Sequence, residues 1–397
     1  MTSPERSDVV IIGGGIQGLL LAFHLADRGR RRVTVLDAGY WQGGASGRNG
    51  TLVRGGFSSH AWTAFFEHSV QQWKQLSFRL GHNVMYTRRG YLIIAESERT
   101  EAVIETAFAT HKELGVRSRR PATVEHPGLL PAADHTRIRA MIELEDGGTA
   151  PHHAVMQAAR RAALENGVTL RYQTPVSALE VTNGRVVAAQ ALGERYDADL
   201  FVIAAGAFSS EVARMAGVDL DAVPFRIEAM ASEPVRPLIR QAIALMDRLT
   251  YLHQTARGEI VGGAELPGES PKRNIVSTEY VMPRYARHLV EMFPQTAALR
   301  IRRQWSGMLH PAPDGGPLLG PHPDIGGLWI TAGWTYGIAG APGAADLLAE
   351  AILTGRIDHR LKPFAVDRFR RGRPVPEASA VIDNASAVTR PEPAPAS

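Results

Sequence analysis

The chain has 397 residues, 44% of them hydrophobic, which is enough for two interleaved domains with substantial cores. Its formal net charge is only +4, and its short basic clusters are not interleaved with aromatic residues, so no nucleic-acid partner is expected. The sequence contains no cysteine, which excludes disulfides, thiolate metal sites, redox dithiols and cysteine-linked flavin.

The N-terminal residues are polar and lead directly into a predicted strand, so no signal peptide is expected. No apolar run approaches the roughly 20 residues that a membrane-spanning helix needs, and no membrane span is predicted. The lack of cysteine fits a reducing compartment. We therefore predict a cytoplasmic protein.

The first elements predict a βαβ unit. Residues 8–12 form a β-branched run typical of a buried strand, residues 19–28 predict a helix, and residues 33–37 predict a second buried strand. A glycine-rich segment, 43–56, follows and is too loose for regular structure. Helical patterns then cover about 60–80 and 98–114.

The middle of the chain returns to the same kind of pattern after a polar stretch over 121–151. Residues 153–166 predict a helix, 168–172 a strand, 176–191 a small meander, and 200–204 a fully apolar strand. Residues 218–310 predict an antiparallel sheet. A buried strand over 327–332 and a helix over 342–353, with Pro342 in its first turn, precede an Ala/Pro/Ser-rich tail.

A glycine motif lies between the first strand and the first helix. Gly13, Gly15 and Gly18 have the G-x-G-x-x-G spacing, which allows a tight turn, backbone approach to a pyrophosphate, and close helix–strand packing. Asp37, at the end of the second strand, is placed to accept hydrogen bonds from ribose hydroxyls. The pattern predicts a dinucleotide site; the alternative is a purely structural turn.

The residues after Asp37 favour FAD over a nicotinamide cofactor. A simple nicotinamide dehydrogenase would continue into further βαβ units, whereas here a loop of small residues, 43–50, follows and could lie against an extended cofactor. This loop contains no histidine, so noncovalent FAD is expected.

Several further segments occur in a fixed order along the chain. They are GASGRNGTLVR at 44–54, Tyr251 through RGEIVGG at 257–263, APDGGPLLG at 312–320, and Gly333–Trp334 through GAPG at 340–343. With the glycine motif and Asp37, these segments resemble the D-amino-acid oxidase superfamily, in particular its branch of sarcosine oxidase β subunits and glycine oxidases.

The resemblance implies an α/β (overall α+β) fold in which a substrate domain is inserted into a discontinuous Rossmann-like FAD-binding domain. We assign residues 1–85, 145–217 and 311–373 to the FAD-binding domain. Residues 86–144 and 218–310 form the substrate domain, built on a mixed or antiparallel β-sheet, and residues 374–397 form a disordered tail.

The motif and the resemblance together predict the cofactor contacts. The predicted residues are Gly13, Gly15, Ile16, Gln17, Gly18, Asp37, Ala38, Gly44, Ala45, Ser46, Arg48, Asn49, Gly50, Thr51, Val176, Ala205, Gly206, Gly333, Gly337, Ile338 and Gly340. The last three precede the helix predicted from Pro342, whose N-terminus, in the family, points at the flavin, where amides and the helix dipole stabilise negative charge.

The resemblance also implies residues at the substrate face. Arg54 aligns with the arginine that holds a substrate carboxylate, although a structural arginine in a loop is the alternative. Tyr251 is interpreted as pocket wall or sheet core, and His253 should share its face of the strand. Ala339 stands where many relatives carry a lysine near the flavin.

His152 lies near the position at which the sarcosine oxidase β subunit attaches a second flavin. A histidine at a helix start is more often only a polar terminus, so no covalent FMN is assigned. No metal site is predicted.

The expected activity is FAD-dependent oxidation of a carbon–nitrogen bond in an amino acid or amine. Hydride leaves the α-carbon for the flavin, and the resulting imine hydrolyses. The leading hypothesis is an oxidase that uses oxygen. The alternatives are a dehydrogenase or heteromeric subunit that uses another electron acceptor, favoured by Ala339, and a non-catalytic flavin-carrying assembly subunit. Partner subunits are possible within the family.

Overall fold

The structure is a computed structural model that describes residues 6–29, 32–265 and 274–380. Within these residues the strands, in chain order, are β1 Ser7–Ile12, β2 Val33–Leu36, β3 Leu52–Val53, β4 Tyr91–Ala95, β5 Ser118–Arg119, β6 Ala140–Leu144, β7 Gly148–Thr149, β8 Thr169–Arg171, β9 Val176–Thr182, β10 Arg185–Ala191, β11 Glu194–Ile203, β12 Phe225–Pro234, β13 Ala242–Leu245, β14 Thr250–Gln254, β15 Glu259–Ala264, β16 Ile301–Leu309, β17 Leu318–Pro321 and β18 Leu328–Ala332.

The α-helices are α1 Ile16–Asp27, α2 His60–Leu80, α3 Glu98–Leu114, α4 His126–Leu129, α5 His152–Glu165, α6 Ser209–Arg214, α7 Val281–Met292 and α8 Gly337–Thr354. Short 3₁₀ turns lie at Ala45–Arg48, Thr123–Glu125, His135–Arg137, Gly206–Phe208, Met246–Arg248, Pro294–Ala298 and Lys362–Phe364. None of the helices in the described part of the chain is long and apolar enough to cross a membrane.

The first sheet has the strand order β17-β18-β11-β1-β2-β8. Strands β1, β2, β8, β11 and β18 run parallel, β17 is antiparallel to β18, and β9 and β10 extend β11 as an antiparallel meander. The run from Val9 to Ile12 is fully buried because both faces of a parallel sheet are covered. Helix α1 packs against α5 and α8 beside this sheet.

The second sheet has the order β16-β12-β15-β14-β13-β4-β6-β5. All its pairs are antiparallel except β4 with β13, which are parallel. Strands from residues 86–144 and 218–310 therefore join in one mixed sheet. The predicted fold class, with a Rossmann-like sheet and a separate mixed sheet, is confirmed, while the domain boundaries stay a prediction.

Two elements differ from the sequence-based expectation in this region. Residues 218–310 contain the helix α7 besides strands, with Tyr285 and Leu289 buried on one face. The last helix, predicted from Pro342, begins five residues earlier at Gly337. Proline is common in a first helical turn, which explains the misplaced start, but here Pro342 lies inside α8.

The predicted disordered tail is wrong for residues 374–380, and the rest of that prediction lies outside the described residues. The indole Nε1 of Trp62 donates to the Val375 carbonyl at 2.7 Å, and Ser379 is 1% exposed. The Ala/Pro/Ser composition indicated disorder, but specific hydrogen bonds and burial order this segment. We call residues 374–380 the C-terminal strap.

Candidate functional site

The glycine turn has the geometry that its spacing predicted. Gly13 has a φ of +119°, and a Cβ there would lie 2.2 Å from the Ala204 carbonyl oxygen. A Cβ on Gly18 would lie 1.9 Å from the Gly13 carbonyl oxygen. A Cβ on Gly15 would meet only the Ser46 hydroxyl, at 3.1 Å, because the rest of its surroundings is cavity. Two glycines thus permit close packing and the third permits approach of a ligand.

Two side chains accept hydrogen bonds from backbone amides at this turn. Asp37 accepts hydrogen bonds from the Gly14 amide at 2.6 Å and the Gly39 amide at 2.7 Å. The Ser46 hydroxyl accepts from the Ile16 amide at 3.0 Å, at the first residue of α1. Both side chains line the cavity in front of the turn. The amides and the positive end of α1 make this place suited to phosphate groups.

This cavity has a volume of about 760 Å³ and runs past the ends of β1, β2, β11 and β18 to the start of α8. Its lining includes Gly13, Gly15, Ile16, Gln17, Asp37, Ala38, Gly44, Ala45, Ser46, Arg48, Asn49, Val176, Ala205, Gly206, Gly333, Gly337 and Ile338. A Cβ on Gly44 or Gly206 would meet nothing within 4 Å, so backbone is exposed to the cavity at both places. The residues fit an extended dinucleotide such as FAD.

Four predicted cofactor residues lie outside the lining of this cavity. Gly18 is under the turn, Gly50 lines a second cavity, and the Thr51 hydroxyl pairs with His253. Gly340 packs on Trp334, whose ring would be 2.5 Å from a Cβ there, and its amide already bonds the Tyr336 carbonyl. Because α8 begins at Gly337, the amides without an intrahelical acceptor precede Gly340.

The start of α8 is joined to the glycine turn by one side chain. Gln17, in the first turn of α1, donates from Nε2 to the Gly337 carbonyl at 2.8 Å and accepts from the Thr331 hydroxyl. Both helix N-termini therefore reach the same cavity from opposite ends of the sequence. Two positive helix ends favour negative charge on a ligand between them.

A smaller cavity of about 110 Å³ adjoins the first and shares Ala45, Arg48, Asn49, Leu309 and Ile338 with it. Its other lining residues are Gly50, Leu52, Arg54, Tyr91, Ile227, Ala229, Tyr251, Trp305, Gly307, Thr335, Tyr336 and Ala339. Three of the four predicted substrate-face residues, Arg54, Tyr251 and Ala339, thus lie together. His253 does not line it.

Arg54 is the one cation buried deep in this cavity wall, among the residues that the structure describes, with an exposed fraction of 1%. Its Nη2 donates to the Ser379 carbonyl at 2.8 Å, while Nε and Nη1 have no hydrogen-bond partner in the described residues. The guanidinium stacks on Phe57 with its Cζ 4.1 Å from the ring centroid and lies 5.3 Å from that of Tyr336. A buried guanidinium with two unsatisfied donors is suited to an anionic ligand.

Tyr251 is pocket wall rather than sheet core. Its ring would lie 2.6 Å from a Cβ on Gly50, so glycine is needed where this loop crosses the sheet. Burial raises the pKa of the Tyr251 hydroxyl, with Tyr91 adding to the effect. Burial also raises the pKa of Tyr91 to about 12, against the opposing effect of Arg54. Both phenols stay protonated at neutral pH.

His253 was expected to share the face of Tyr251. Both side chains contact the same loop, Tyr251 at Gly50 and His253 at Thr51, but His253 does not line the smaller cavity. Its Nε2 lies 3.1 Å from the Thr51 hydroxyl, and its exposed fraction is 5%. Burial lowers the pKa of His253 to about 4, so the ring is neutral. Its role is to hold the loop that follows the 3₁₀ turn, where Thr51 has a φ of +68°.

At Ala339 the methyl group lines the smaller cavity, and the carbonyl accepts hydrogen bonds from the Ser69 hydroxyl at 2.6 Å and Trp73 Nε1 at 3.0 Å. Helix α2 thus fixes the first turn of α8, and no ammonium group is supplied at this position. His152, by contrast, begins α5 and lines neither cavity.

Sequence reasoning missed most of the aromatic wall. Trp305 lies on β16, at one edge of the second sheet, Tyr91 lies on β4, five strands away, and Tyr336 precedes α8. Only Tyr336 carried a signal, since it lies between the predicted cavity residues Gly333 and Gly337. Ser379 was missed because its segment was assigned to the tail. The described residues contain no cluster of three or more potential metal ligands.

Comparison with known proteins supports this geometry. The family described as FAD dependent oxidoreductase, DAO, matches residues 8–351. The chain is 30% identical over 389 residues to sarcosine oxidase subunit beta of Rhodobacter capsulatus, covering 95% of this chain and 93% of that one. It is 23% identical to glycine oxidase of Geobacillus kaustophilus, covering 92% and 97%.

A solved structure of L-proline dehydrogenase from P. horikoshii superposes with a TM-score of 0.88 at 25% identity, covering 93% of this chain and 99% of that one. The predicted family is confirmed over the same residues that build both cavities. The chain belongs to the DAO family of FAD-dependent oxidoreductases.

Proposed function

We propose that this protein oxidises the carbon–nitrogen bond of a small amine that carries a carboxylate, such as an amino acid or an N-alkyl amino acid. The observation that carries the proposal is Arg54, buried in the wall of the smaller cavity with Nε and Nη1 unpartnered in the described residues. The relatives named sarcosine oxidase and glycine oxidase support the same substrate class.

FAD, when bound, would supply the redox chemistry, which is removal of a hydride from the carbon next to nitrogen. The chain's own residues bind and orient the substrate. Two parallel N–H groups of Arg54, one on Nη2 and one on Nε or Nη1, bind the carboxylate, and this planar fork fixes the direction of the bond beyond it. Tyr91, Tyr251 and Trp305 form an aromatic wall that excludes water and suits an amine.

Among the described residues, no carboxylate and no histidine lines the smaller cavity. The cavity therefore holds no side chain that would take a proton from a substrate ammonium near neutral pH, since Tyr91 and Tyr251 have raised pKa values. We infer that the substrate reacts as the neutral amine after losing its proton to water. The imine product then hydrolyses in solution.

The electron acceptor is oxygen in our leading hypothesis. One observation favours a different acceptor: Ala339 places a methyl group, and no cation, where the first turn of α8 meets the cavity. A dehydrogenase that passes electrons to a quinone or a partner subunit is therefore the second candidate. A non-catalytic flavin-carrying subunit is the third.

The test is to mix the purified yellow protein with a panel of amines without oxygen and then admit air. Bleaching of the flavin with rapid recovery in air supports an oxidase, and bleaching with slow recovery supports a dehydrogenase. If amino acids and N-alkyl amino acids all leave the flavin oxidised, the proposed activity is wrong and the assembly role gains support.

Three further proposals concern the state of the protein. We propose that FAD is bound noncovalently, because the sequence has no cysteine and residues 43–50 have no histidine; acid precipitation should release all the flavin. The cytoplasmic location stays a prediction. Because relatives are named as a subunit, we also propose that partner subunits occur, which the mass of the native protein tests.

A further inference from the structure

The C-terminal strap contacts Arg54, which lines the smaller cavity. Asp314 pairs with Arg368, which precedes the strap, at 2.6 and 2.8 Å, and both side chains are buried. Asp314 also accepts from the Val375 amide at 2.8 Å, and Trp62 holds the Val375 carbonyl. The aspartate of the 312–320 motif, which the cofactor site does not use, therefore fixes the start of the strap.

Glu377 fixes the other end of the strap to the loop that carries Arg54. Its carboxylate accepts from the amides of Ser58 and Ser59, both at 2.9 Å, and from the Ser58 hydroxyl at 2.5 Å. It also accepts from the Ser379 amide at 2.8 Å and the Ser379 hydroxyl at 2.6 Å. Burial acts to raise the pKa of Glu377, but these hydrogen bonds outweigh it and hold the pKa below its ordinary value.

These five bonds set the position of one carbonyl group. The Ser379 carbonyl accepts from one N–H of Arg54 Nη2 and so occupies one edge of the guanidinium. The second N–H of Nη2 and one unpartnered neighbour, Nε or Nη1, form the edge that is left for another ligand. An arginine can bind a carboxylate with two parallel bonds only when its plane is fixed. The rings of Phe57 and Tyr336 fix the plane from the faces, and Ser379 fixes it from the edge.

We propose that Glu377 is a positioning residue for substrate binding, which acts by holding the Ser379 carbonyl on one N–H of Arg54 Nη2 so that the remaining edge of the guanidinium is presented to the substrate carboxylate. This inference rests on the proposed function of Arg54. Glu377 lines neither of the two cavities described above: it acts through Ser379 and through the Ser58–Ser59 backbone.

Because Glu377 is negatively charged, the direction in which its replacement changes anion binding distinguishes two mechanisms. A negative charge near Arg54 weakens the binding of an anion, so its removal alone strengthens that binding. If Glu377 acts by positioning, its replacement by glutamine weakens anion binding instead. Loss of the charge alone therefore predicts a lower Kd for an anion, and loss of positioning predicts a higher one.

The experiment measures binding of acetate to the FAD-loaded protein from the change in flavin absorbance, with acetamide as the uncharged probe. Glu377→Gln should raise the Kd of acetate about tenfold, the size expected for one hydrogen bond to a charged group, and leave that of acetamide unchanged. Glu113→Gln, at an exposed position of α3, is the matched control and should change neither.

The double variant Arg54→Ala/Glu377→Gln should bind acetate as Arg54→Ala does, because the positioning effect needs the guanidinium. Melting temperature and flavin content are measured for every variant. If Glu377→Gln does not retain FAD, Ser379→Ala takes its place, since it keeps the carbonyl but loses one bond to Glu377, and it should weaken acetate binding less.

An unchanged or lowered Kd for acetate in the Glu377 variant, with Arg54→Ala still impaired, overturns the positioning role alone. If Arg54→Ala binds acetate as tightly as the unaltered protein, the proposed function of Arg54 fails and the positioning role falls with it. Equal losses for acetate and acetamide point to a general structural role and also overturn the inference.

Discussion

Replacement of Arg54 by alanine tests the proposed substrate class most directly. The change removes the two parallel N–H groups that bind the carboxylate in our proposal, one of them on a nitrogen that is unpartnered in the described residues. Hydrogen bonds to charged groups contribute about 1.5–3 kcal/mol each, so two of them correspond to about 3–6 kcal/mol. At about 1.4 kcal/mol per factor of ten, kcat/KM should fall by roughly 10² to 10⁴ for a carboxylated amine.

The assay compares each carboxylated amine with the analogue in which an amide replaces the carboxylate. For the unaltered protein the carboxylate should be strongly preferred, and for Arg54→Ala the preference should vanish. Arg54→Lys keeps the positive charge but loses the two parallel N–H groups. Its preference for the carboxylate should lie between that of the unaltered protein and that of Arg54→Ala. Arg161→Ala, at an exposed position of α5, is the control for loss of an arginine.

One outcome would show that Arg54 does not recognise the substrate carboxylate. If Arg54→Ala lowers kcat/KM equally for both analogues, the arginine supports the fold through its stacking on Phe57 and does not recognise the carboxylate. Flavin content must be measured alongside, because a loss of FAD also lowers both values together.

Three further predictions follow from the geometry. Gly18→Ala should abolish FAD retention, read from flavin absorbance per protein, because its Cβ would lie 1.9 Å from the Gly13 carbonyl oxygen. The kcat/KM of the protein should rise with pH in one step at the pKa of the substrate amine and show no enzyme group between pH 6 and about 10, since the pKa of Tyr91 is raised to about 12. Asp346→Asn should lower the free energy of unfolding by about 2 kcal/mol at pH 7, measured by urea denaturation, because it breaks a partly buried ion pair with Arg28.

The Gly18 variant and the pH dependence each have a control. Gly128→Ala adds a methyl group where nothing lies within 4 Å and should leave FAD binding intact. Two amines with different pKa values should shift the pH step by that difference; a fixed step would reveal an enzyme group.

The pH dependence of the Asp346 effect follows from the direction of its pKa shift. Burial acts to raise that pKa, but the hydrogen bonds from His68 and Arg28 outweigh it and lower the pKa. The stabilisation is thus complete above the ordinary aspartate pKa and is lost as the pH falls through the lowered value. The two proteins should become equally stable in strong acid, and a constant difference there would contradict the ion-pair explanation.

Local sequence patterns predicted the helices that have one apolar face. Helix α2 was predicted over 60–80 and α3 over 98–114, and the structure has His60–Leu80 and Glu98–Leu114. Both have a polar residue before the first turn and a glycine after the last, Gly81 and Gly115, in the left-handed conformation. In such helices the capping residues and the apolar repeat all belong to one short stretch of sequence. That stretch is therefore sufficient to predict where the helix begins and ends.

The cavity walls depended on long-range pairing and were only partly predictable. Tyr91 and Trp305 reach one cavity through a sheet order that no local pattern specifies. Alternation predicted that His253 shares the face of Tyr251, but it could not predict that the His253 ring bonds Thr51 and lies outside the cavity lining. The strap was missed for the opposite reason: its composition is that of disordered segments, while Glu377 supplies the hydrogen bonds that order it.

The bond between Gln17 and Gly337 links residues 320 positions apart across the mouth of the larger cavity. During synthesis, the glycine turn leaves the ribosome long before α8 exists, so a nascent chain has only half of the nucleotide cradle. Flavin capture must therefore wait until the C-terminal residues have emerged and docked onto α1. In a cell short of riboflavin, full-length chains would lack FAD between α1 and α8. Quality-control proteases should remove these chains first, because bound FAD stabilises only the folded protein.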